Sequence, residues 1–483
     1  MKAARSTSPI IACLLLGWLL SASGCGRQNE PSTQHRPPPV PVTAPKAQHH
    51  SRSPGYTNWW LAWSKELIEG GYQQAGRKDP KWDEPVVKAL EDYAYRRVFR
   101  APPAGNAPDL FQNLLKQALA AGCDDALIVY LHTRRFNRAP ASANAATAAE
   151  YSRSAAALEA TSYRPILKFF ANLRAAQAWR AAFAKQAPEV NQFRRAAMSH
   201  LQSVLQAEEI PAGAAFEACQ ELYETIEQNP AQRRDFYFGA EPCLFARWPD
   251  EGFPYYLKGK FYLAYAWEAR GGGWASTVTD EGWKTFGERL KIAEQGLEKA
   301  WQLDPSLPET PVAFLRLELG QGRARERMEK WYERALAWPE NHYEAVRWKL
   351  WYLEPRWHGS EQECLETARA AVRSDRFRGR VPLLLYHTHE SLATYFKDQR
   401  PGYWLEPHVW PDLKEAFTRY FDLNGDDTDW RHNYVMCAWR CQQWKTLTEE
   451  IPKLKWVNHE YFGGREAFEQ MKEKAQAMVG KAQ

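Results

Sequence analysis

The residues best suited to chemistry are scattered along the chain and rarely share a spacing that chemistry needs. His387-Thr388-His389-Glu390 offers metal-capable side chains close together, but residues two apart on a helix do not face each other, so a shared ion requires a bend there. Asp422-Leu423-Asn424-Gly425-Asp426-Asp427 has the alternating oxygen donors of a calcium loop. It carries Asp427 where the sharp turn needs glycine and Asn433 where a bidentate glutamate belongs. These acids suit the cap of an inter-helix turn better. Gly271-Gly272-Gly273 lacks the later Gly-Lys-Ser/Thr of a phosphate cradle and reads as a helix stop. Cys437 and Cys441 lie one helical turn apart, as separate buried thiols or as part of a metal site, and Cys219 with Cys243 is a possible disulfide in an oxidising compartment. Spacing alone picks out no serine, histidine and aspartate order, carboxylate pair or metal-hydrolase helix. The expectation is a protein without catalytic residues, metal or cofactor.

Tryptophan is the exception in this composition, with 22 among 483 residues. A buried indole N–H needs an acceptor, so such a content asks for more than core filling. The tryptophans are dense between Trp267 and Trp357, and most are expected between helices. Trp267, Trp274, Trp348, Trp351 and Trp357 are the candidate binding residues, since an exposed indole stacks on a sugar ring or grips a peptide. A net charge of +5 and 25% charged residues give no nucleic-acid footprint.

The elements that must position these residues are helices. Phe286, Leu290, Ala293, Leu297 and Ala300 recur at steps of four and three and share one helix face. Ala293 and Ala300 have almost no side chain, which lets a partner helix approach. Pro305 ends that helix. Met328, Tyr332 and Ala335 share a face before Pro339, which follows Pro305 by thirty-four residues. Thr279 or Asp280 is placed to cap the Phe286 helix, and Ser360 with Glu363 forms a capping box before the next one. Upstream, Trp60, Trp63 and Leu67 share a face up to Gly70-Gly71. Helical stripes follow around Val86 to Val98, Leu110 to Ala118, Ala126 to Thr133, 141–162, Phe169 to Phe183 and Phe193 to Leu205. Downstream, Leu384 to Tyr395, Leu413 to Phe421, Trp430 to Cys441 and Ala467 to Ala475 continue the pattern, and Lys472, Glu473 and Lys474 give the last helix a polar outer face. Alternation of the strand type is not found at any convincing length.

The spacing of Ala293, Leu297, Ala300 and Pro305, and of Met328, Tyr332, Ala335 and Pro339, resembles the second helix of tetratricopeptide repeats. The first-helix signature of that family is absent, so none of its peptide-binding residues carries over. The stretches from Trp267 through Gly273 to Pro305 and from Leu353 to Glu363 also resemble an uncharacterised family of bacterial exported proteins with a domain of unknown function. These resemblances imply an all-α fold of helical hairpins stacked as a tetratricopeptide-like α-solenoid, with no established activity. The expected organisation is a signal peptide over 1–24, a proline-rich tether over 25–55, a helical region over 56–250 and the repeats over 251–480.

The first residues bear on compartment. Lys2 and Arg5 precede an apolar run from Pro9 to Leu20, too short to span a bilayer, and small residues follow up to Cys25. Leu20-Ser21-Ala22-Ser23-Gly24-Cys25 resembles a bacterial lipoprotein signal, with Ala22 where such signals usually carry leucine. That resemblance implies a lipid on Cys25 and an exported chain held at a membrane on its periplasmic or outer-membrane face; ordinary cleavage near the same residues would instead release a soluble secreted protein. The following Pro37-Pro38-Pro39 and Pro41 favour an extended spacer, with His49-His50 solvated in it. The implied partners are another envelope protein or peptide and, through the lipid, a membrane; envelope placement also makes cell-wall glycan a reasonable ligand. Metabolic labelling with radioactive palmitate in a bacterial host is expected to mark the wild-type chain and leave Cys25→Ser unmarked. Equal labelling of both would remove the anchor from Cys25.

Overall fold

A computed structural model describes residues 54–481 apart from 100–102, 104, 106, 108, 135–142, 184–186 and 209. The expected signal peptide, Cys25 and nearly all of the tether lie outside the described residues. Among the described residues the fold is all-α, with helices joined by short turns and no strand. They divide into two compact units, the first ending at Pro254 and the second beginning at Tyr255. No described helix is long and apolar enough to cross a membrane.

The first unit contains α1 (Pro54–Lys65), α2 (Asp83–Phe99), α3 (Leu110–Ala120), α4 (Ala126–Arg134), α5 (Ala145–Glu159), α6 (Pro165–Phe183), α7 (Pro188–Ala207), α8 (Ala212–Ile226) and α9 (Pro230–Arg247). Trp60, Trp63 and Leu67 are buried as their shared face requires. The helix does not close at Gly70-Gly71: it passes through a π turn, Glu66–Gly70, and runs on to Ala75. Gly71 is buried and keeps helical backbone, packing near Tyr163 and Leu167. Asn144 caps α5 through Thr147, giving the alanine-rich segment a defined start. Its small residues Ala148, Ser154 and Ala155 are buried against neighbours. Cys219 is buried and Cys243 half-buried, and both are free thiols; the possible disulfide between them is not formed.

Helix α10 (Gly252–Arg270) carries the division between the units. The second unit continues with α11 (Asp280–Leu303), α12 (Glu309–Gln321), α13 (Arg325–Ala335), α14 (His342–Tyr352), α15 (Glu361–Arg373), α16 (Leu383–Tyr395), α17 (Val409–Asn424), α18 (Thr428–Arg440), α19 (Trp444–Glu450) and α20 (Arg465–Gly480). From α11 onward each helix packs on the next, and α12 on α14, α14 on α16 and α15 on α17 pack one further along. That is the neighbour-on-neighbour order of a stack of helical hairpins, in which each pair shields the apolar stripe of the pair before it.

Local sequence explains the helix ends. Gly271 follows α10 at φ 74°, in the left-handed region that terminates a helix. The Thr279 hydroxyl accepts from the Gly282 N–H and starts α11. Ser360 accepts from the Glu363 N–H at 3.2 Å, but the return half of the box is replaced: the Glu363 carboxylate bonds the Ser360 hydroxyl and Arg325. An arginine outcompetes a backbone N–H for that carboxylate because its bond is charge-assisted on both sides. Asp427 caps α18 through Asp429 and Trp430, and Asp426 pairs with Arg431 and Lys455. The calcium-like acids therefore serve the turn between α17 and α18.

The small-residue face of α11 does admit a close neighbour, and glycines mark the contact. Ala293, Leu297 and Ala300 are fully buried, while a Cβ placed on Gly296 would lie 2.9 Å from the Gly259 nitrogen of α10. The alanines flank this crossing point. At the far end Phe468, Met471 and Ala475 of α20 close the core over Val435, Ala438 and Leu447, and Glu473 and Lys474 face outward.

Three helices are pinned by one charged cluster. Glu318 of α12 is 1% exposed and accepts from Arg327 of α13, which also reaches Glu294 of α11. Glu294 takes two further bonds from Arg323, at 2.5 and 2.8 Å. Arg327→Met would keep the side-chain volume and strand Glu318 without its cation. A cost of about 3–5 kcal/mol is expected, because an uncompensated charge is left inside. Denaturant unfolding checks it, and a change below about 1 kcal/mol would mean the pair is already solvated.

Candidate functional site

The candidate tryptophans do not form one surface. Trp267, at the end of α10, meets Phe286 of α11 at 5.2 Å and Trp357 at 5.7 Å, both edge to face. Trp357 thus crosses to α10 instead of folding back on α14. The connection carrying it is fastened by the His358 ring nitrogen, 2.9 Å from the Leu319 carbonyl of α12. Gly359 is needed there for room, since a Cβ on it would fall 2.3 Å from the Leu353 carbonyl oxygen. Trp348 and Trp351 of α14 form a second group, stacked at 5.0 Å with planes 1° apart. Arg347 lies 4.4 Å and Arg316 5.6 Å from the Trp348 ring. Trp274 belongs to neither group; its carbonyl accepts from Thr277 in the turn after α10.

Sequence reasoning missed two members of the first group. Arg270 sets its guanidinium 5.6 Å from Trp267, 5.4 Å from Trp283 and 5.3 Å from Trp357. Such contacts attract a cation to the negative ring faces. Trp283 is 39% exposed, so one wall of this cage opens to solvent. The available signal was the spacing of Trp267 and Arg270, three apart at a helix end, where they share a face. Burial pushes the Arg270 pKa down. Its Nη1 donates to the Gly271 and Gly273 carbonyls, at 3.2 and 3.1 Å, and among the described residues no carboxylate pairs with it. Nε of Arg270 and both indole N–H groups of Trp267 and Trp357 are buried without an acceptor among the described residues.

The two histidines of His387-Thr388-His389 diverge, as their spacing requires. His387 faces a cavity of about 20 Å³ lined by residues that include Leu350, Trp351 and Cys364. His389 is fully buried, with Nδ1 2.8 Å from the Tyr403 hydroxyl and Nε2 3.0 Å from Asp412. Asp412 in turn accepts from Arg369 at 2.7 to 3.0 Å. This hydroxyl, imidazole and carboxylate series has the order of a proton relay, but Tyr403 is 1% exposed and reaches no solvent.

Beside it, ligand atoms of Glu361, Glu406 and His408 lie within 4.8 Å of one another, the one described set able to hold a metal ion. Arg400 occupies the middle, bonded to Glu361 at 2.6 Å and twice to Glu406. A cation would have to displace that guanidinium. Cys437 and Cys441 are buried, and burial pushes both thiols up, Cys441 to about 12. An open groove of about 570 Å³ lies between α15 and α17. Its walls carry the ion pairs Arg373 with Glu415 and Arg419 with Asp375, together with Lys414 and Asp422.

No family model matches the chain, and no curated protein matches it at a significant level. The tetratricopeptide resemblance therefore rests on the second-helix spacing of the sequence alone.

The buried histidines set a pH dependence. Burial lowers the pKa of His387 to about 4, and burial also lowers that of His389, against its bond to the Asp412 carboxylate. Above the unfolded value near 6.5 both states hold these rings neutral; as pH falls below it the unfolded chain takes up protons first, so stability declines. For Asp412, burial raises the pKa but the bonds from His389 and Arg369 outweigh it and hold it low, so its contribution is lost only at still lower pH. Denaturant midpoints are expected to drop between pH 7.5 and 5, with a shallower drop in His387→Gln. Equal midpoints at both pH values would contradict this burial.

Proposed function

We propose that this protein is an exported lipoprotein, held at the cell envelope through Cys25, that serves as a non-enzymatic helical-repeat scaffold for protein–protein interaction. The observation that carries the reading is the neighbour-on-neighbour packing of hairpins in the second unit. A stack of this kind presents long surfaces built from several helices at once, which suits an extended partner. The groove between α15 and α17 is such a surface, and its mixed charges fit a protein or peptide of alternating sign better than a polyanion. The buried relay around His389 and the arginine lodged between Glu361 and Glu406 support a structural reading of the reactive side chains.

A second reading has its own support. The solvent-facing Trp283 beside a caged arginine fits a cell-wall glycan ligand. An envelope hydrolase has less behind it, since the acidic pair nearest to such a role is already bridged by Arg400.

Cross-linking and pull-down from solubilised envelope tests the scaffold. The wild-type chain is expected to retain a defined protein partner, and Lys414→Glu with Arg419→Glu to lose most of it while the circular dichroism spectrum stays unchanged. Retention by the doubly reversed variant would move the interaction off this groove. Absence of any specific partner, with hydrolysis of purified cell wall, would overturn the reading.

A further inference from the structure

Most arginines of the second unit that reach the interior meet a carboxylate. Arg327 meets Glu318, Arg369 meets Asp412, Arg356 meets Glu354 and Arg431 meets Glu450. Arg270 does not. Its guanidinium stands among the rings of Trp267, Trp283 and Trp357 at 5.3 to 5.6 Å. Arg334 has a similar aromatic setting, 4.8 Å from Trp301 and 4.3 Å from Trp331, so caging alone is a packing device in this chain. Two features set the Arg270 cluster apart, the exposure of Trp283 and the buried nitrogens left without an acceptor among the described residues.

Trp283 is 39% exposed, whereas Trp331 beside Arg334 is 7% exposed and stacked on Phe314 at 3.6 Å. The Trp283 side chain is thus partly open to solvent at this site. Only Nη1 of Arg270 is engaged, by the Gly271 and Gly273 carbonyls, and Nη2 makes no hydrogen bond among the described residues. Finally, Nε of Arg270 and the indole nitrogens of Trp267 and Trp357 find no acceptor among the described residues. The cluster is rich in donors and a positive charge, holds no anion of its own, and has an aromatic wall at its mouth.

We propose that Arg270, with Trp283 as platform and Trp267 and Trp357 as the inner wall, binds a carboxylate-bearing sugar ring. The guanidinium fork matches a carboxylate, and the apolar face of a pyranose lies on the exposed indole. Neutral sugar would satisfy the platform but leave the cation unpaired. A free carboxylate would pair with the cation but cover no indole. The combination requires both groups on one compact ligand. This site is independent of the groove between α15 and α17, so failure here leaves the scaffold reading standing, and the reverse also holds.

Isothermal titration of the full-length protein with sodium glucuronate, N-acetylmuramic acid, glucose, acetate and a short glutamate-rich peptide tests the assignment at low ionic strength. Saturable binding of the two acidic sugars is expected, at least about tenfold tighter than glucose or acetate, the size of one hydrogen bond to a charged group. Arg270→Gln is expected to reduce the acidic sugars to the level of glucose. Trp283→Ala, a surface change that leaves the inner wall in place, is expected to abolish the preference for acidic sugars over acetate. Both variants should keep the wild-type circular dichroism spectrum; if Arg270→Gln does not fold, Trp283→Ala alone decides. Equal binding of glucose and glucuronate, tighter binding of the peptide, undiminished binding by folded Trp283→Ala, or no saturable binding of either acidic sugar would each overturn the proposal.

Discussion

The fold depends on one repeated interaction, a buried or half-buried carboxylate on one helix held by an arginine from a neighbour. Arg174 of α6 reaches Glu221 of α8 at 2.5 Å, Arg327 of α13 reaches Glu318 of α12, and Arg369 of α15 reaches Asp412 of α17 at 2.7 Å. Arg431 of α18 reaches Glu450 of α19. Apolar side chains fill the spaces between helices, but contacts of this kind are not directional. Charge-assisted bonds add direction, because an arginine fork donates to a carboxylate in only a few geometries. Burial makes the pairs costly to break, whatever their net contribution to stability.

Aromatic residues share the interior with these aliphatic ones. Tryptophan fills broad gaps between helices, and arginine, with its flat and weakly hydrated head, packs on the ring faces. Phe314 on Trp331, Trp348 on Trp351 and the Arg334 setting show this as ordinary packing. Against that background the Arg270 cluster departs in placing a partly exposed indole, Trp283, beside a cation whose Nε is buried without an acceptor among the described residues.

Periodicity made the helices legible, since burial follows the predicted faces at Phe286, Leu290, Leu297, Met328 and Ala335. Caps at Thr279 and Asp427 were legible for the same local reason, a side-chain oxygen beside the first free N–H groups. What sequence could not reveal lies between elements. Gly259 and Gly296 meet across two helices, Trp357 crosses to Trp267, and Tyr403 and Asp412 converge on His389 from separate segments. The helix at Gly70-Gly71 ran on because tertiary packing overrode glycine's local preference to stop it. Of the candidate tryptophans, Trp267 and Trp357 came together through such long-range folding, and the arginine between them carried no signal beyond its place at a helix end.

Hydrogen exchange read segment by segment tests most directly whether neighbouring hairpins are locked by these pairs. In Arg327→Met, protection is predicted to fall across Asp280–Leu303, Glu309–Gln321 and Arg325–Ala335, where Glu294, Glu318 and residue 327 reside, and to stay at the wild-type level across Val409–Asn424 and Thr428–Arg440. A uniform loss of protection across both groups, or no loss in the first, would contradict the account.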